Sequence, residues 1–184
     1  MYIYFCKCNF PLKGGARLKG LKIVRKEKGF SQLQLAEFLH ISPSIVAQWE
    51  LGEKEASAGQ VIFLCRILGC TPAELFLPPE CNYTENSAFV PVFSGNGYTQ
   101  VSFSLLPANP LTSVCQFGIV VNQDISGRIC RGDICYFQLD GSCCKNDTVI
   151  TLDNSNTPKL FVADENDVKR NNISAVCRYM QSRL

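Results

Sequence analysis

Histidine is nearly absent from this chain: His40 stands alone among 184 residues. A zinc site of the mixed Cys/His kind is therefore poorly supplied. Cysteine is plentiful at eleven, but no two stand at Cys-x-x-Cys spacing; Cys6-Lys7-Cys8 and Cys143-Cys144 come nearest. An odd number of cysteines and no secretory leader predict reduced, mostly buried thiols in a cytosol. A membrane-spanning run is also missing. The apolar start MYIYFCKCNF is too short, and it lacks a basic opening and a small-residue cleavage site. The Asn-x-Ser/Thr matches at Asn82, Asn146 and Asn172 accordingly carry no weight. No repeat or low-complexity segment stands out, and composition is that of an ordinary globular protein. No metal, cofactor or membrane partner is expected.

The net charge is small, +2, but unevenly spread. Lys7, Lys13, Arg17, Lys19, Lys22, Arg25, Lys26 and Lys28 face only Glu27 within the first 28 residues, whereas acids and bases nearly balance from Glu80 onward. A basic end suits contacts with phosphates. The length allows one or two domains, each large enough for a core.

The pattern is sharpest from Phe30 to Gly52. Ser31 and Gln34 form a Ser-x-x-Gln capping box, and Leu35, Ala36 and Leu39 then recur at helical spacing. His40-Ile41 breaks that helix. Ser42 and Pro43 suit the N-cap and first position of a second, Val46 and Trp49 give it one apolar side, and Gly52 marks its end. Helices this short need neighbours. One is predicted from Arg17 to Lys28, with Leu18 and Leu21 on an inward stripe that also takes in Arg25, a charge that must be paired if buried. Another runs from Ser57 to Leu68 with Val61, Leu64, Cys65 and Leu68 inward. A fifth opens at the Thr71-Pro72-Ala73-Glu74 capping box and ends near Phe76.

Residues 16–77 thus resemble the helix-turn-helix head of phage repressors of the lambda type, on Ser31-Gln32, Leu35-Ala36, Ile41-Ser42 and Val46 to Gly52. The resemblance implies that the second helix of the pair lies in the DNA major groove. It also implies that Arg25 pairs with Glu50 and that Gln32 meets a phosphate. Ser42, Pro43, Ser44, Ile45 and Gln48 would then line the DNA, with Ser44 and Gln48 reaching base edges. Gln48 favours adenine through a bidentate contact. Pro43 offers apolar contact only. Lys26 and Lys54 are expected on phosphates. His40 takes the usual place of a glycine in the turn.

Residues 1–15 form an N-terminal extension, and residues 78–88, PPECNYTENSA with neighbouring prolines, read as a linker. From Phe89 the period changes. PVFSGNG, TQVSFSLL, FGIVVNQ, DICYFQL, DTVITL, KLFVA and ISAVCRYM are β-rich runs between turn residues. The predicted fold class is α+β in two domains, a five-helix head and a mostly β domain over 89–184. The pieces Phe117 to Val121, Ile129-x-x-Gly132-Asp133-Ile134 and Ile150-x-Leu152-x-Asn154-x-Asn156 resemble the C-terminal domain of LexA and the phage repressors, a self-cleaving serine/lysine peptidase fold related to signal peptidase. The chemistry departs from that family. The nucleophile's place falls on Asp124, Ser126 is two residues late, Lys145 is the available lysine, and the family's cleavage bond is absent near Pro91 to Gly97. A peptidase fold kept for dimerisation, and not an enzyme, is the expectation.

The combined reading is a cytoplasmic, sequence-specific DNA-binding transcriptional regulator, a repressor of phage or prophage type. It binds a palindromic operator as a homodimer joined through residues 89–184. The head offers little apolar surface beyond its own core, and the final strand, Ile173 to Met180, is taken as an unpaired edge for joining two chains. The rivals are a self-cleaving repressor using Ser126 and Lys145, a redox- or ligand-responsive regulator using Cys143-Cys144 or Cys6 and Cys8, and an antitoxin-like partner-binding protein.

Overall fold

The computed structural model describes residues 17–76, 87–95, 98–107, 109–154, 156–170 and 173–182. The extension 1–15, with Cys6 and Cys8, lies outside them, as does most of the expected linker. Five helices come first: α1 (Leu21–Glu27), α2 (Gln32–Leu39), α3 (Pro43–Leu51), α4 (Ala58–Leu68) and α5 (Pro72–Phe76).

Local chemistry sets their ends. The Ser31 hydroxyl accepts from the Gln34 amide at 3.1 Å while Gln34 Oε1 accepts from the Ser31 amide at 2.8 Å. Ser57 and Gln60 repeat this reciprocal cap at the start of α4, a box the sequence reading passed over. At Thr71, both the amide and the hydroxyl donate to Glu74 Oε2. Such caps each contribute about 1 kcal/mol. His40 closes α2 in the left-handed conformation, φ 54°, at a cost of about 1 kcal/mol for a residue with a Cβ. Helix α1 starts four residues later than predicted. The amide of Gly20 donates to Leu75 O of α5 at 2.8 Å, so the backbone before Leu21 is held by another helix instead of extending its own.

Seven strands follow: β1 (Ser87–Ser94), β2 (Gln100–Pro107), β3 (Phe117–Val120), β4 (Ile134–Leu139), β5 (Thr148–Leu152), β6 (Pro158–Val162) and β7 (Ala175–Gln181), with a short helix α6 (Glu165–Arg170) before the last. β1 begins inside the segment expected to be linker. α6 was not foreseen, although its signal was present: Asp164 Oδ1 accepts from the amides of Asn166 and Asp167. The strands form one sheet in the order β2-β1-β3-β4-β7-β5-β6. Alternation sorts the side chains, with Phe93, Phe117 and Phe137 on one face and Val92, Leu106 and Tyr136 on the other.

The phenylalanine face meets the helices. Phe76 of α5 lies 6.0 Å from Phe93 and 5.8 Å from Phe103, ring centre to ring centre, and buried residues of helices and sheet join in one cluster. Arg66 of α4 reaches Asp140 at 3.4 Å, an exposed pair that contributes little by itself.

Two expectations need correction. The final strand is not an unpaired edge: β7 lies inside the sheet, paired with β4 along its length and with β5 at Val149↔Val176 and Ile150↔Ala175. Residues 177–181 of the strand have no β5 partner. The head also carries more exposed apolar surface than expected, in Ile23, Leu33, Phe38 and Leu51.

A buried ion pair ties the head together. Arg25 Nε donates to Glu50 Oε1 at 2.5 Å and Nη2 to Oε2 at 3.2 Å, with the side chains 8% and 4% exposed. Arg25 Nη1 donates to Phe30 O at 2.7 Å, and Gln32 Nε2 to Glu50 Oε2 at 2.8 Å. Removing one partner strands a charge in the core. Arg25→Ala or Glu50→Ala is expected to destabilise the head by about 3–5 kcal/mol, while Arg25→Met with Glu50→Leu recovers most of that. Urea unfolding of the three variants beside wild type measures it.

Candidate nucleic-acid interface

The reading helix α3 is placed by what it buries. Val46 and Trp49 are fully enclosed in the head core, which turns the opposite side of the helix outward. Pro43 and Ser44 are exposed there, and Gln48 is half-buried with no side-chain hydrogen bond among the described residues. Gly52 ends the helix at φ 73°, where a residue with a side chain is strained. Ser42 has the extended backbone of an N-cap, but its hydroxyl contacts that of Ser44 at 2.8 Å instead of capping. Together the two hydroxyls present donors and acceptors at the exposed N-terminus of α3.

The other expected contacts divide. Lys26, in the last turn of α1, and Lys54, three residues after α3, are both exposed. Ile45 is half-buried and packs against the core, so little of it is left for DNA. Gln32 is half-buried and commits one amide hydrogen to Glu50, leaving the other for a phosphate. The ion-pair network therefore includes Gln32 and holds the first turn of α2 against the end of α3.

In the sheet, the residues of the rival serine/lysine reading, Ser126 and Lys145, and Asp124 in the nucleophile's place each have a separate local setting. Asp124 Oδ1 accepts from the Arg131 amide at 2.8 Å, a structural turn contact. Ser126 sits exposed in the turn closed by the Ile125–Ile129 bridge, with φ 50°. Lys145 is 57% exposed and bound to Glu165 at 2.8 Å, so it is not the desolvated lysine that a serine/lysine dyad needs. The lysine beside Asn122 and Gln123 is instead Lys159 on β6, where it lines an open cleft of about 520 Å³ with Tyr98, Thr157 and Phe161. It is 67% exposed and 4.0 Å from Asp153. Its position on a strand, where Lys145 is in a loop, was the available sequence signal.

The eight described cysteines are free thiols. Cys143 donates to Cys144 O at 3.3 Å, and burial pushes its thiol up, which disfavours the reactive thiolate. Burial likewise raises Cys115 to about 11. Cys65 of α4 meets Cys70, and sequence spacing gave no hint that Cys135 on β4 meets Cys177 on β7. The hydrogen bond between them lowers Cys177 and raises Cys135. No group of three or more His, Cys, Asp or Glu residues able to hold a metal occurs among the described residues, and no helix there is long and apolar enough to cross a membrane.

Comparison with known proteins bears on the helical part. Residues 21–75 match the helix-turn-helix family model HTH_3. The competence pilus inhibition repressor of Acinetobacter baylyi is 31% identical over 62 residues, which covers 34% of this chain and 56% of that protein. The chain therefore spans about half the length of this relative. The restriction-modification controller protein C.AhdI of Aeromonas hydrophila is 33% identical, covering 32% of this chain and 88% of that one, with a TM-score of 0.30. The clp gene regulator ClgR of Corynebacterium glutamicum is 32% identical over 31% of this chain and 74% of its own, TM-score 0.29. The structure of Fe(II)-HppE aligns with 90% of this chain at 15% identity and TM-score 0.33, too loose a superposition to bear on fold or function. Helices α1 to α5, the burial of one side of α3 and the family match together make residues 21–75 a helix-turn-helix domain.

Proposed function

We propose that the chain is a sequence-specific DNA-binding transcriptional regulator, a repressor of phage or prophage type that acts as a homodimer on a palindromic operator. The observation that carries this reading is α3: Val46 and Trp49 lock its apolar side into the core while Pro43 and Ser44 are exposed and Gln48 is half-buried. The named repressor and controller relatives support it. Such a regulator works in the bacterial cytoplasm or nucleoid. The β domain serves assembly and not cleavage, a reading supported by the turn role of Asp124 and the exposed Lys145–Glu165 pair.

One short reading helix touches few base pairs, and two heads on one face of the duplex extend the site. Residues Cys177 to Gln181 of β7 have β4 on one side and no β5 pairing on the other, and Met180 is 40% exposed there. A strand with one open side pairs readily with a second copy of itself.

Selecting bound sites from random DNA tests the whole reading, with a two-fold symmetric sequence as the expected product. On that site, Gln48→Ala is expected to relax preference at one base position by about 1–3 kcal/mol. Lys26→Ala weakens all sequences alike and lowers the salt dependence by about one ion. An unchanged selected sequence for Gln48→Ala removes it from the reading set. Sedimentation equilibrium is expected to show a dimer for wild type and a monomer for Met180→Asp; a dimer that survives the substitution excludes the β7 edge as the joint.

A further inference from the structure

A glycine in the first turn of α4 lies directly against the sheet. A Cβ built on Gly59 would lie 1.5 Å from the backbone oxygen of Asn156, at the tip of the β5–β6 hairpin, and 3.3 Å from the Pro158 ring. Backbone cannot yield as a flexible side chain can, so only glycine permits this approach. Gly59 and Pro158 are both buried. Glycine is otherwise a poor choice for a helix, disfavoured against alanine at an ordinary position. Around this point stand Phe76 against Phe93 and Phe103, and Arg66 against Asp140, so the head meets the sheet at three separate places. Contacts so distributed fix rotation as well as distance. They engage α4 and α5, leaving the exposed residues of α3 uncovered.

We infer that this contact, centred on Gly59, positions each head on its sheet in one orientation and thereby sets the half-site separation that the dimer accepts. The inference rests on the dimeric regulator reading above and adds its specificity for spacing. Gly59 is a positioning residue: it touches no DNA and acts through the direction in which α3 points. A freely tethered head tolerates many separations, because a flexible connection spans a range of distances, whereas a docked head tolerates few. Changing the centre-to-centre distance by two base pairs shifts a half-site by about 7 Å and about 70° around the duplex axis.

The test uses the full chain and the operator recovered by selection, respaced by two base pairs in both directions. Wild type is expected to lose ~10-fold or more in affinity on each respaced site, and Gly59→Ala to bind all three within ~3-fold. Alanine favours the helix itself, so the substitution acts on the docking contact and not on α4. If Gly59→Ala fails to fold, Phe103→Ala carries the same expectation, since it removes a docking ring from the sheet and leaves the head's residues untouched. Readers with unaltered base preference and relaxed spacing support the inference. A variant that keeps the wild-type spacing profile, or a wild type indifferent to spacing, overturns the inference alone. A wild type that selects no two-fold site overturns the regulator reading together with it.

Discussion

The head depends on burying a charge that it can neutralise. Arg25 lies on the inward stripe of α1, where an aliphatic side chain would be the ordinary occupant, and Glu50 comes from the end of α3 to meet it. Every strong donor on the guanidinium group that the pair uses is directed: two to the carboxylate and one to Phe30 O, just before α2. Gln32 then adds α2 itself through Glu50. Three helices with few residues each are thereby fixed in register by one polar node. Apolar packing of Leu35, Val46 and Trp49 supplies attraction without direction, while the node supplies direction. The outward face of α3 is a consequence: a helix pinned at its C-terminal end by Glu50 and on one side by Trp49 has no freedom to rotate its exposed side chains.

What was legible in the sequence was local. Ser31 with Gln34, Thr71 with Glu74 and glycine after α3 announce helix ends within a few residues, and period 3.6 gives the faces between them. Seven β runs were also readable from alternation and turn residues. Their pairing was not, because strand neighbours are chosen by packing across long sequence separations. Nothing local says that β7 enters between β4 and β5. The same limit hid the docking of head on sheet: Gly59 reads as a weak helix position until Asn156 is known to lie against it. Within the site, Gln48 and Ser44 were identifiable from their register on α3. Ile45 on α3 and Gln32 on α2 are half-buried, because helices of nine and eight residues present intermediate positions that core and surface share.

Counting residues from a motif worked least well in the sheet, where the likeness to the peptidase pattern was weakest. Lys145 was chosen by its distance from Asp124, yet it belongs to a loop and its ammonium group is held by Glu165. Lys159 stands by the cleft because the β5–β6 hairpin returns it there. A hairpin preserves position across the sheet even when the intervening loop changes length, so strand register is the better ruler than sequence distance.

The placement of β7 also has a consequence for synthesis. The β5–β6 hairpin has no hydrogen-bonded strand neighbour in the sheet except β7. As the chain emerges from the ribosome, α1 to α5 can close around contacts made within sixty residues, and β1 to β4 can pair, while the hairpin must wait for residues 175–181. The tip of that hairpin is where Asn156 receives Gly59. A nascent chain can thus lean its head on β1 and β2 through Phe76 first, and gains the Gly59 contact only when residues 175–181 bring the hairpin into the sheet.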